Sequence, residues 1–218
     1  VLAAYIQPAR GYELDIYRAT PVAFWIGIAI AVLASLAVSV RQQLGRRLRT
    51  TALGLVVLAV LAVVALPLFR NYYFFGPGDS LSHLGWARMI GSGDLSPFGL
   101  LYPAIHSTSV FVNRVVGVSL RRAMLLVVVV YTLVYLVFVP RCVDEIASSR
   151  LAIVTGTFVA VLFLPINNVS VYVLPYPTTQ ALFFIPFVLY LAIKYVVLPD
   201  EGMPRPITTA GILLAISS

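Results

Sequence analysis

Charge is scarce in this chain. Only 11% of its 218 residues are charged, and it has one lysine, one cysteine and two histidines. The lone cysteine, Cys142, excludes an internal disulfide and fits no cysteine-based metal spacing, so it reads as inert. No cleavable signal is visible, and spans preceding Val1 would make one unnecessary. Acids are fewer than bases, which leaves a net charge of +7. A nucleic-acid partner is nevertheless not indicated, because the arginines sit in short segments between apolar runs rather than in a basic stripe interleaved with aromatics. Topology signalling and contact with lipid phosphate account for them. Internal repeats and low-complexity linkers are also lacking.

What the chain has in abundance is apolar sequence. It is 61% hydrophobic with a mean hydropathy of +0.98. Several uncharged runs reach about 18 to 20 residues, the length that crosses a bilayer core. The expected fold class is therefore all-α, a polytopic transmembrane helical bundle forming a single transmembrane domain over residues 1–218. Spans are expected at about 22–40, 51–69, 123–140, 151–165 and 180–198, with a sixth beginning at 207 and incomplete at 218. A long extracytoplasmic loop, 70–122, would bear short amphipathic helices. Val1 to Ala4 reads as the tail of an apolar segment and Ile207 to Ser218 stops inside one, so the sequence is expected to be a piece of a longer protein.

Orientation follows from the short loops. The stretch Arg41 to Arg49 carries four arginines and no acid, which places it in the cytoplasm by the positive-inside rule. A loop holding Arg141, Asp144, Glu145 and Arg150 returns to the same side. Lys194 is placed to snorkel toward the inner interface. Tyr72, Tyr73, Phe74 and Phe75 form an aromatic belt at the outer surface. These choices put the protein in the cell membrane with residues 70–122 outside.

Chemistry is expected in the polar, Gly- and Pro-punctuated island from Gly76 to Asn113. It holds both histidines and two of the eight acids, and ionisable groups gathered in an apolar chain mark candidate functional sites. Asp79 suits the N-cap of a helix that ends at Gly91 or Gly93. Asp79 and His83, four residues apart, share a helix face. Arg88 lies half a turn off that face. Leu84, Trp86, Met89 and Ile90 would let the helix lie in the membrane interface. Asp94, Tyr102 and His106 follow within the same island. A carboxylate oriented by such neighbours beside a dry apolar wall can serve as a general base. A second helix is expected after Tyr102-Pro103, with His106, Ser109 and Asn113 as one polar stripe. Arg114, Arg121 and Arg122 then lie near the outer interface, either holding an anionic headgroup or snorkelling.

The order Asp79-x-x-x-His83, a Gly-rich break, Tyr102-Pro103, His106 and Gly117 resembles the first large external loop of GT-C fold glycosyltransferases. Gly11 to Trp25 is also similar to a segment recurring in archaeal membrane proteins of this general type. The resemblance, over roughly Gly11 to Gly117, implies transfer of a sugar from a polyprenyl-phosphate or diphosphate donor to an acceptor on the extracytoplasmic side. It assigns the base to Asp79, with His83 orienting it or joining it at a divalent metal, the one cofactor the resemblance brings in. Arg88, Asp94, Tyr102, His106 and Arg114 become the substrate-binding candidates.

Other signals are weaker. Asn168-Val169-Ser170 is a glycosylation sequon. Leu174-Pro175-Tyr176-Pro177 is a rigid turn that either walls a lipid groove or only separates two helices. Glu13 or Asp15 could supply a second carboxylate. The competing function class is a lipid-handling, transport or structural membrane subunit without bond-making chemistry. Coupled transport normally needs ionisable groups inside the spans, and almost none are present here.

Overall fold

In the computed structural model of the chain, the described residues are 1–9, 13, 15–41, 45–73, 79–94, 103–147, 149–162 and 175–194. Every regular element among them is an α-helix. The chain packs as two compact units, Val1–Phe75 and Gly76–Ser218.

The first unit holds α1 (Leu2–Ile6), α2 (Ile16–Ala19), α3 (Val22–Val40), α4 (Arg46–Val64) and α5 (Leu66–Phe69). Two short helices, α1 and α2, thus precede the first long one. Asp15 caps α2 by accepting from the Tyr17 amide at 2.8 Å, and the indole of Trp25 donates back to the Tyr17 carbonyl at 3.1 Å. Helices α3 and α4 pair through small residues. Ser35 and Ser39 of α3 and Ala52, Val56, Ala59 and Ala62 of α4 are all buried, and such residues let helices approach closely where lipid supplies no hydrophobic drive. The span expected at 51–69 is displaced toward the N-terminus. Arg46 to Arg49 belong to α4, since arginine is a good helix former, and the long helix stops at Val64 before Pro67 sits in the first turn of α5.

One charged knot closes this unit. Arg70, 3% exposed, meets Glu13 through two hydrogen bonds of 2.7 Å. Its Nε donates to the Gln7 carbonyl at 3.2 Å, and Tyr72 donates to the same carboxylate. Burial and the neighbouring Glu13 charge push the Tyr72 hydroxyl well above the usual tyrosine range. Glu13 is thereby committed to Arg70.

The second unit contains α6 (Ser80–Ser92), α7 (Ala104–Val116), α8 (Leu120–Ala147), α9 (Arg150–Leu162) and α10 (Pro177–Ala192). The span expected at 123–140 is longer at both ends. Pro140 does not stop α8, so Arg141, Asp144 and Glu145 lie on its last turns rather than in a loop. Packing against α9 and α10 holds the helix through the proline, and Cys142 donates to the Pro186 carbonyl of α10 at 2.8 Å. Helices α8 and α10 run in the same direction, joined by ring pairs Tyr135–Phe183 at 5.5 Å and Phe138–Phe187 at 4.8 Å. Lys194 closes this ladder against Glu145 at 3.5 Å.

Three helices, Val22–Val40, Arg47–Val64 and Leu120–Ala147, are long and apolar enough to cross a membrane. Helices α9 and α10 are apolar but shorter within the described residues. Residues 163–165 and 195–198 of the two expected spans, the sixth span and the sequon lie outside the described residues.

Candidate functional site

Helices α6 and α7 carry the site. Both end on glycines in the left-handed region, α6 as its sequence foretells at Gly93 (φ +85°) and α7 at Gly117 (φ +74°). At the end of α6 the amides of Gly93 and Asp94 return to the carbonyls of Ile90 and Met89, at 3.0 and 2.9 Å, satisfying groups that a helix end would leave open. At the end of α7 the Asn113 side chain donates to the Val118 carbonyl at 2.6 Å. Asn113 thus closes a helix end, whereas His106 and Ser109 of the same expected stripe are buried.

The two helices lie side by side in parallel register. Arg114 donates to the Gly91 carbonyl at 2.8 Å. Toward the other end, His83 Nδ1 lies 3.0 Å from His106 Nε2. Both imidazoles are buried, at 6% and 0% exposure. Trp86 stands edge-on to both rings, at 5.1 Å from His83 and 5.7 Å from His106. Tyr176, at the start of α10, packs 5.4 Å from His83, and its hydroxyl accepts from Ser80 at 3.0 Å.

A hydrogen bond between two imidazoles needs one donor and one acceptor nitrogen. At least one of the facing nitrogens is therefore unprotonated while the bond exists. Burial lowers the His83 pKa from its ordinary value, and the Asp79 charge opposes that shift. The pair is suited to holding neutral imidazole beside an acid and to passing a proton between two rings.

Asp79 itself departs from expectation. It occupies the N-cap position of α6, but with helical backbone angles (φ −64°, ψ −12°) and no side-chain cap hydrogen bond. Its side chain is exposed, so no dry apolar wall surrounds it. Arg88, Asp94 and Arg114 are exposed as well. Tyr102 lies outside the described residues. The residues brought together are His83 and His106, with Asp79 in electrostatic reach of the first. Reading the sequence missed Ser80, Tyr176 and the ring-bridging role of Trp86. The Leu-Pro-Tyr-Pro turn was the available pointer to Tyr176, since a tyrosine between two prolines is held in place by the backbone.

Among the described residues no three His, Cys, Asp or Glu side chains converge as metal ligands. Asp79 and His83, the two donors that the resemblance offers a divalent metal, are thus joined by no third such ligand among the described residues. No protein-family model matches the chain, and no match is found among curated proteins or solved structures.

Proposed function

We propose that the chain carries the reactive loop of a GT-C type membrane glycosyltransferase, moving a sugar from a polyprenyl-phosphate-linked donor to an acceptor at the extracytoplasmic face. The supporting observation is the α6–α7 pair. It sets an exposed Asp79 carboxylate within electrostatic reach of the His83–His106 pair. In this reading Asp79 takes the proton of an acceptor hydroxyl. The acceptor oxygen bonds to the anomeric carbon as that carbon's bond to the phosphate oxygen breaks. Arg88 offsets the charge left on the polyprenyl phosphate, since Arg114 lies at the far end of the helix pair beside Gly91. Asp94 and Tyr102 line the substrate, while His106, fully buried, acts on it only through His83.

A second reading, a lipid-handling or structural membrane subunit, is favoured by one observation. Both imidazoles are packed among aromatic rings as a core would be. The test is Asp79→Asn in membranes, assayed with polyprenyl-phosphate hexoses. Because Asp79 is exposed, expression and thermal unfolding should be unchanged while transfer falls about a hundredfold or more, as for loss of a general base. Transfer that survives the substitution removes Asp79 from the chemistry, and no transfer by a folded parent protein favours the second reading.

A further inference from the structure

Helix α7 is amphipathic in the wrong sense for water. Its inward side carries His106 and Ser109 with Ile105 and Val110, whereas Phe111 and Val115 point outward at 64% and 65% exposure. Leaving side chains of that size in water forgoes the gain that burial would bring. Two of the three hydroxyls on this helix are turned onto the backbone, while Ser107 is exposed. Thr108 and Ser109 each donate to the carbonyl four residues back, at 2.7 and 2.6 Å. Thr132 in the apolar span of α8 does the same at 2.8 Å. Polar groups satisfied within their own helix are what a hydrocarbon environment requires.

The position of α7 along α8 points the same way. The turn at Gly117 sends the chain back on itself, so α7 and α8 are antiparallel and packed together. Thr108 lies against Tyr131. Tyr131 is eleven residues along α8 from Leu120, roughly 16 Å at 1.5 Å per residue. The uncharged run of α8, Ala123 to Pro140, would fill about 27 Å of bilayer core. The early turns of α7 are therefore level with the middle of that run, not above it. Arg114, Arg121 and Arg122 gather at the opposite end, beside the turn, where guanidinium groups would meet lipid phosphates. On α8, Val130 and Leu133 are likewise exposed, at 52% and 40%.

We propose that α7 is a half-depth membrane helix: acyl chains cover its Phe111–Val115 face, and Arg114, Arg121 and Arg122 mark the headgroup level. The segment expected as an amphipathic helix of the extracytoplasmic loop 70–122 instead returns into the bilayer beside α8. The His83–His106 pair, buried at 6% and 0% exposure, then sits below the headgroups. Because α6 runs parallel to α7, the same placement carries Asp79 to the depth of the start of α7 and so bears on the sugar-transfer reading; the depth of α7 and the Asp79→Asn assay are measured separately, and either can fail alone.

The test uses the whole chain with Cys142→Ser, in vesicles of phosphatidylcholine and phosphatidylglycerol. A nitroxide is attached singly at Phe111→Cys, Val115→Cys or Ser107→Cys, with Ser92→Cys at the exposed end of α6 as the reference. Ser107→Cys is nearly isosteric and keeps the experiment informative where removal of Phe111 disturbs folding. Power saturation compares collision with oxygen, which concentrates in hydrocarbon, and with a water-soluble nickel complex. The oxygen-to-nickel ratio should exceed that at Ser92 several-fold, rising from Val115 through Phe111 to Ser107. A ratio like that of Ser92 at Phe111 and Ser107 puts α7 in water and overturns the proposal. Low collision with both reagents together with spin–spin broadening, the mark of a second copy covering the face, overturns it too.

Discussion

His83 is subject to two opposed influences, burial that disfavours its charged form and the Asp79 carboxylate that favours it, with burial the larger. The sign of the consequence follows from linkage. The folded-state pKa lies below the ordinary value of 6.5, so above that pH both folded and unfolded chains are neutral at this site and nothing is lost. As pH falls through 6.5, the unfolded chain takes up a proton that the folded one resists. Stability falls until the folded-state pKa is passed. Thermal unfolding in detergent should therefore show a lower midpoint at pH 5 than at pH 8, and His83→Gln should shrink that difference. An unchanged difference in the variant would show that His83 is not its source. At this scale the sequence was half legible. The i, i+4 spacing of Asp79 and His83 could be read directly, because one helix fixes it. The contact with His106, 23 residues away, depends on the parallel register of two helices, which no local spacing encodes.

Helix ends were legible wherever backbone chemistry alone decides them. Gly93 and Gly117 stop α6 and α7 because only glycine enters the left-handed region without strain. The start of α4 and the end of α8 were not legible, because Arg46 to Arg49 and Pro140 are overruled, respectively, by helix propensity and by tertiary packing. The α8–α9 contact shows how tightly these elements fit. A β-carbon added at Gly156 of α9 would come within 2.7 Å of a methyl of Val143 on α8. Valine has little freedom to turn away. Gly156→Ala should destabilise the fold by about 1–3 kcal/mol through overpacking. Val143→Ala should recover part of that loss in the double variant, measured as the midpoint of thermal unfolding. Additive effects of the two changes would mean that the helices separate freely at this point.

On the scale of the whole chain, hydropathy foretold an all-helical protein with helices long enough to span a membrane, because span length and composition are set by the bilayer itself. It did not foretell the knot of Arg70 with Glu13 and Tyr72. A pair 57 residues apart in sequence leaves no periodic trace. With side chains only 4% and 14% exposed, removing one partner strands the other charge. Glu13→Ala should cost about 3–5 kcal/mol. Replacing both ions, Glu13→Ala with Arg70→Met, should cost less than the single change, and an equal or greater loss would assign the effect to lost packing.

That knot also bears on the order in which the protein is made. Glu13 leaves the ribosome before α3 and α4, and Arg70 only after both. Until the second of these helices has formed and its end lies beside the first, the Glu13 carboxylate cannot meet Arg70. The ion pair thus forms only on a completed α3–α4 hairpin, and a chain stalled between the two helices would leave that acid without the partner it keeps in the finished fold.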